Sequence, residues 1–517
     1  MHNSRLLFFL FWLSGLATSQ AQHLPGAAMG NYAGTQALYH NPAFVADSRY
    51  SVFVNLAATQ LYEASNYAKY DAPYSLLSIV TNTVPAEYRS ERGGILFPRT
   101  YVGEKLTGGI KHLNLGGDTR LPSLMVSLLD GKVGVAVTSR ARYMLNIAQV
   151  TEPIAQLARG GAREPAIQNQ LFENQAGNLH LNGLGEVAFT LGGVVVDRET
   201  EFFKAGLTVK RVLGLYNAHA VLENTSYEIR PDPAWNNMRQ LVRSPQITAD
   251  YGYTADGAFE NFQLSPAWLL GNAPAGSGWG FDLGMVYEYR PEIRKYSHNE
   301  RGGRKYDHSK NKYLYRIALS VTGIGRVHFK NPNYVTNYSV NATNRNFTYD
   351  IFQRLNGSSG FYNAIDQSMG VSAADRQTSF RSVLPMAFQA SVDYQLQPNI
   401  YLSTLWVQSL RSAGAFGMRA ESVLAVTPRY EHKWYELSVP LSLMNRYRSP
   451  SIGLAGRAGP LWLGTDHLFG LLNIGKPQAF NLYVGISAGL YRRPPQSATR
   501  CWPRENSWLR RLFQRKN

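Results

Sequence analysis

One cysteine, Cys501, stands in 517 residues. A lone thiol excludes an internal disulfide and any structural metal site built from several thiolates. Its distance from the N-terminus excludes a lipoprotein anchor. Charged residues are sparse at 17%, which sets the chain apart from coiled-coil and disordered compositions. Beyond the N-terminal segment no window approaches the roughly 18 apolar residues that a membrane-spanning helix needs. Catalytic signatures are missing as well: there is no H-E-x-x-H, no P-loop and no clustered metal-ligand spacing. The sequence is therefore not read as an enzyme, and neither cofactor nor metal is expected. Acids are outnumbered 35 to 52 by lysine and arginine, for a net charge of +17.

What is abundant is tyrosine (31), phenylalanine (23) and glycine (46), with a mean hydropathy of −0.26. Many aromatics and glycines without long apolar runs suit a membrane-embedded sheet, in which only alternate residues face lipid. The N-terminus reads as an export signal. Arg5 is its positive end, Leu6 to Leu16 its short apolar stretch, and Ser19-Gln20-Ala21 a small-x-small cleavage site.

Past residue 50 the hydrophobic period is two. Leu384, Met386, Phe388, Ala390, Val392 and Tyr394 alternate with a set that includes Gln389, Ser391, Asp393 and Gln395. A strand puts these sets on opposite faces, one apolar and one polar. The same division runs through Phe203 to Lys210, Glu186 to Leu191, and Leu437 to Leu443, where Ser438 and Ser442 fall on the polar side. Gln389, Ser391, Asp393 and Gln395 are candidate lumenal residues, and a wet lumen would tolerate an arginine at Ser438 or Ser442.

Connections fall into two length classes. Tight turns are predicted at Asp130-Gly131, around Asp197, at Gln397-Pro398 and at Lys433-Trp434, with long stretches between them, such as 143–182 and 330–379. Short turns on one side and long loops on the other are the layout of an outer-membrane barrel. A membrane tolerates no open sheet edge, so the sheet must close. Alternating the sides gives fourteen strands, beginning near Tyr50, Leu121, Lys132, Leu184, Phe202, Trp279, Tyr313, Ser382, Asn399, Ser422, Glu436, Ser451, Leu461 and Phe480. Sixteen is the alternative, because 217–266 has room for another hairpin. Helix is expected within the loops at Thr151 to Asn178 and, more weakly, Ala64 to Ser90. The expected class is thus all-β: a closed antiparallel transmembrane barrel preceded by a short N-terminal segment.

That segment, Asn31 to Tyr50, reads NYAGTQALYHNPAFVADSRY. Asn41-Pro42-Ala43 between a signal peptide and strand one resembles the plug, or hatch, of barrels related to the long-chain fatty-acid transporter FadL. Gly280 to Tyr287 followed by Ala318 to Gly325 resembles paired strands of that group, including PorV and the PorP/SprF barrels associated with type IX secretion. Gly459 to Asp466 is similar to the PorP/SprF group. The resemblance implies fourteen strands and a plugged lumen. The division is then a signal peptide (1–21), a hatch (22–49), a barrel with long extracellular loops (50–491) and a basic periplasmic tail (492–517). The final strand, Phe480 to Tyr491, resembles the signal read by the barrel-assembly machinery, although 26 residues follow it. Gly485-Ile-Ser487-Ala-Gly489 fits the hydrolase G-x-S-x-G pattern, but the serine falls in mid-strand where a nucleophile elbow needs a strand-to-helix turn.

Positive charge is concentrated at Glu288 to Arg316 (+5) and Arg492 to Asn517 (+7). Arg301, Arg304, Lys305, Arg510 and Arg511 are candidates for a periplasmic dock for an acidic or secretion-system partner. Trp508 to Phe513 could form a short amphipathic helix in the tail. His298 and His308 read as solvated. The expected partners are outer-membrane lipid, the assembly machinery and that acidic or secretion-system partner, but no nucleic acid. Two functions follow: a passive channel or transporter for a small molecule, a hydrophobic one among the candidates, in the bacterial outer membrane, or a non-transporting scaffold of a type IX-like secretion or adhesion machine. Only the first expects an apolar pocket beside the hatch.

Overall fold

A computed structural model describes residues 24–492, apart from 236–238, 256, 261–274, 301–302, 353–356, 413 and 476. The expected signal peptide, Arg301, Cys501, Trp508 to Phe513, Arg510 and Arg511 lie outside the described residues.

Fourteen antiparallel strands close into a barrel. In chain order they are β1 Tyr50–Ser65, β2 Lys111–Arg120 with Ser123–Leu128, β3 Val133–Val150, β4 Leu171–Asp197, β5 Glu201–Pro231, β6 Gly276–Tyr289 and β7 Tyr315–Phe329. The second half comprises β8 Phe380–Val383 with Ala387–Gln397, β9 Ile400–Ser409, β10 Val423–Glu431, β11 Tyr435–Ser438 with Leu441–Met444, β12 Ser449–Ile452 with Leu454–Ala458, β13 Leu461–Thr465 and β14 Ala479–Tyr491. Closure is made by β1 on β14, with Phe53 opposite Gly489 and Thr59 opposite Val484. No described helix is long and apolar enough to cross a membrane. The stretches Gly280 to Tyr287 and Ala318 to Gly325 are direct neighbours, with Val286 opposite Ala318 and Gly280 opposite Gly325.

The period-two faces hold through the wall. Phe189, Leu191, Leu207, Val392, Leu437, Leu441, Val484 and Ile486 are exposed, whereas Glu186, Thr190, Lys204, Thr208, Gln389, Asp393 and Ser438 are buried. An apolar belt outside and polar groups inside is the pattern lipid demands. Tyr394, Tyr430, Trp434 and Tyr435 stand exposed around the short turns, as an aromatic girdle at the membrane interface would. Those turns are local chemistry. Asp130 and Gly131 both take positive φ (53° and 83°), the mirror-image turn whose twist matches a hairpin.

The hairpin expected within 217–266 exists but does not enter the wall. β4 and β5 run for 27 and 31 residues, far beyond the roughly 9–11 that span a bilayer. The first half of β5 pairs with β6, and its second half pairs instead with an outer strand, Gln240–Thr254. That strand pairs in turn with Val335–Thr348 from the β7–β8 connection. The sheet thus forks above the wall, and the count stays at fourteen. The same extension corrects the helix expected from Thr151 to Asn178. Only Glu152–Gly160 is α-helical, stopped by Gly161 at φ 72°; a 3-10 turn follows at Pro165–Ile167, and Leu171 onward is already β4, held by pairing with β5. In 64–90 the helix is a single turn, Leu76–Val80.

The lumen is not wet beside Ser438. Its Oγ donates to Gly26 O at 2.5 Å, and the residue is 1% exposed. Leu441→Arg is expected to cost about 2–4 kcal/mol by placing a charge in lipid. Ser438→Arg, tolerated on the wet-lumen reading, is expected to expel the segment around Gly26. Urea midpoints in lipid vesicles test both, and a Ser438→Arg protein as stable as the unmodified one would show open space there.

Candidate functional site

Residues 24–49 lie inside the barrel and add no strand to it. Two 3-10 turns, Gly34–Tyr39 and Pro42–Val45, bring Leu38, Ala43, Val45 and Ala46 to near-complete burial. The second turn starts as its sequence dictates. Asn41 caps it, its Oδ1 accepting from Ala43 N at 2.9 Å, and Pro42 occupies the first position, where a backbone N–H would have no partner. The Asn41 amide then donates to Met285 O (3.0 Å) and Leu319 O (2.9 Å), which belong to facing residues of β6 and β7. An aspartate could cap the turn equally well but could not make those two donations.

The seat for this turn is a lane of glycines across four adjacent strands. Gly134 of β3 pairs with Gly192 of β4, Gly192 with Gly206 of β5, and Gly206 with Gly284 of β6. A Cβ on Gly134 would meet Val45 O at 2.0 Å, one on Gly206 the Pro42 carbonyl carbon at 2.5 Å, and one on Gly284 Asn41 Oδ1 at 2.1 Å. No side chain fits between wall and segment at these positions. The lane continues through Ser320, opposite Gly284, whose Oγ donates to His40 O at 2.5 Å. Gln389 lies opposite Ser320, and its Oε1 is 2.9 Å from His40 Nδ1.

Charged clusters pin the segment elsewhere. Asp47 receives Arg290 (2.6 Å), His308 (2.9 Å) and Lys312 (3.4 Å), and its own N–H donates to Gly131 O. Burial would raise the Asp47 carboxyl, but Lys312 and Arg290 outweigh it and hold it well below the ordinary range. The carboxylate therefore stays ionised at neutral pH. His308 is thus no solvated loop residue, and burial lowers its pKa. Much of the +5 of 288–316 likewise points inward, with Arg290, Lys312 and Arg316 all buried. That removes these three from any exposed dock. Arg304 and Lys305 belong to a hairpin strand, Gly303–Tyr306, in the β6–β7 connection.

Asp393 is the second hub. It accepts from Arg316 (3.1 Å), Arg429 (3.0 Å) and Ser403 Oγ (2.9 Å), and Tyr313 Oη lies 2.7 Å away. Arg316 reaches on to Asn31 Oδ1 and Met29 O, and Asn31 donates twice to Glu431. A third cluster, Arg140 with Glu186 and Asp118, places Arg140 and Arg120 over the Tyr39 ring, 4.8 and 4.4 Å from its centroid.

Of the residues singled out by sequence, Asn41, Pro42 and Ala43 form the seated turn, Gln389 reaches the adjoining His40, and Asp393 holds the segment through Arg316. Ser391 is buried on the same inner face, and Gln395, half-buried, donates to Tyr401 Oη at the strand end. The glycine lane and the arginines went unnoticed, because alternation assigns a face but not a cross-strand neighbour. Ser487 sits mid-strand in β14, its N–H donating to Pro460 O, with no nucleophile elbow around it.

Among curated proteins none matches the sequence. Similar solved structures include the toluene transporter TodX of P. putida, at 9% identity and a TM-score of 0.37, covering 89% of this chain and 95% of that one. A Pseudomonas aeruginosa FadL homologue is similar at 9% identity and 0.31, covering 91% and 99%. The translocator domain of the autotransporter NalP from Neisseria meningitidis is similar at 7% and 0.29, covering 86% and 88%. Scores this low carry no conclusion about cargo. A family model matches residues 42–466, and by that match this glycine-seated barrel belongs to the family of unknown function DUF5723.

Proposed function

We propose that the protein is an outer-membrane barrel closed by its own N-terminal hatch, residues 24–49, and that it passes a small molecule by passive diffusion when the hatch is displaced. The observation that carries this is the glycine lane: the hatch is seated by close packing, side-chain contacts and one backbone bond to a turn, Asp47 N–H to Gly131 O, and contributes no strand to the ladder, so it can leave without opening the wall. The cavities flanking the hatch are lined by charged groups, among them Asp47, Arg290 and Lys312 on one side and Asp118, Arg140 and Lys210 on the other. Neither of these two cavities is the continuous apolar pocket that a hydrophobic cargo requires. Displacement would uncover the wall beneath Ala43 and Phe44, where Val286 and Ala318 are buried, and a small hydrophobic cargo would use that surface.

Deleting residues 24–48 is expected to leave a closed, heat-modifiable barrel that conducts ions in planar bilayers, while the full chain stays largely closed. Equal silence of both proteins would remove the channel reading. A non-transporting scaffold of a secretion or adhesion machine would then be the better account.

A further inference from the structure

At the end of the barrel that carries the short turns, a cavity of about 70 Å³ opens beside the hatch. Six lysines and arginines line it against two carboxylates, Asp47 and Glu288. Arg49 is the telling member. It is buried, its guanidinium stacks 3.8 Å from the Tyr32 centroid and donates to Asn311, and no described carboxylate forms an ion pair with it. Glu431 favours its charge only from beyond ion-pair distance, so the buried guanidinium lacks a paired anion, and its planar fork matches an oxyanion. Lys310 stands exposed at the rim, and Lys312 and Arg290 line the wall while holding Asp47.

We infer that this cavity takes a single oxyanion, a carboxylate or phosphate group presented from the periplasmic side, and that the anion competes with Asp47 for Lys312 and Arg290 and so loosens the hatch. The inference rests on the reading of residues 24–49 as a hatch. The cavity has room for one such group and little more, which suits the tip of an acidic side chain, a chain terminus or a free phosphate. Charge sets the direction of the effect: each cation drawn to the incoming anion is taken from the carboxylate that pins the hatch near strand one.

The test is calorimetric titration of the detergent-solubilised full chain with inorganic phosphate and, separately, with tetraglutamate, against sodium chloride of matched ionic strength. Saturable binding is expected, with affinity lowered about tenfold or more in Arg49→Gln, the loss of one charge-assisted contact. Hydrogen exchange over residues 41–47 should rise at saturation. Tighter binding of tetraglutamate assigns the site to a protein segment, and tighter binding of phosphate assigns it to a free anion. Should Arg49→Gln fail to fold, Lys310→Gln at the exposed rim carries the comparison, with weaker binding expected. No saturable binding, equal binding in unmodified and variant proteins, or unchanged exchange at saturation overturns the inference. None of these results bears on whether the hatch-deleted barrel conducts, so the two readings fail separately.

Discussion

Gly206→Val is expected to open the lumen while leaving the barrel intact. A Cβ at this position falls 2.5 Å from the Pro42 carbonyl carbon and 2.6 Å from Ala43 N. Both atoms are backbone, so no rotamer change in the hatch relieves the clash. Gly206 has no positive φ, so valine fits the strand itself and is a better β-former than glycine. The clash is therefore resolved by moving the hatch. Bilayer recordings should show the conductance of the hatch-deleted protein or a large part of it, with unchanged heat-modifiable mobility. Gly193→Val is the control, because its nearest neighbour is Lys132 O at an ordinary 3.7 Å. A closed Gly206→Val protein would mean that the turn at Asn41 to Ala43 is not seated on the lane.

The second large effect is expected at Asp393. Alanine there strips Arg316 of its ion-pair carboxylate and removes one of several from Arg429, which keeps Glu431 at 2.6 Å. Deleting one partner of a buried pair leaves an uncompensated charge, and about 3–5 kcal/mol of stability should be lost. Asp393→Asn should lose less, since a carboxamide oxygen can still accept from Ser403 and Tyr313. Combining Asp393→Ala with Arg316→Met removes the stranded charge, so the pair should cost less than the sum of its parts. Urea unfolding in lipid vesicles, followed by tryptophan fluorescence, reads all three. A loss below about 1 kcal/mol, the range of a solvated pair, would show water reaching this cluster.

The two variants divide the closure into its parts. The lane supplies shape and the hubs supply charge, and Arg316 joins them because it pairs with Asp393 and lies 4.9 Å from the ring centroid of Phe44 in the seated turn. Opening by an anion at Arg49 would act on the charge alone and leave the lane intact.

Alternation along single strands was enough to place Leu437 and Leu441 outside and Gln389 and Asp393 inside. The strong turn formers Asp130-Gly131 and Gln397-Pro398 were enough to mark the short-turn side. These are local properties: a pleat fixes the face of each residue, and a mirror turn fixes its own dihedrals. Asn41-Pro42 was legible as a turn for the same reason. The split of β5 between two partners was not legible, because both halves alternate alike and only pairing distinguishes them.

Sequence by itself therefore determined the fold class and the face that each residue presents, and it narrowed the strand number to fourteen or sixteen; the forked pairing of β5 decided for fourteen. Only the tertiary structure decided that Gly134, Gly192, Gly206 and Gly284 stand side by side, since they come from four strands spread over 151 positions of the chain. It alone turned Arg290, Lys312 and Arg316, which the sequence shows only as members of a basic run, into buried partners of Asp47, Glu288 and Asp393. The physical reason is common to both. Register between strands and the pairing of charges across a lumen are set when the sheet closes, and no single stretch of chain carries that information.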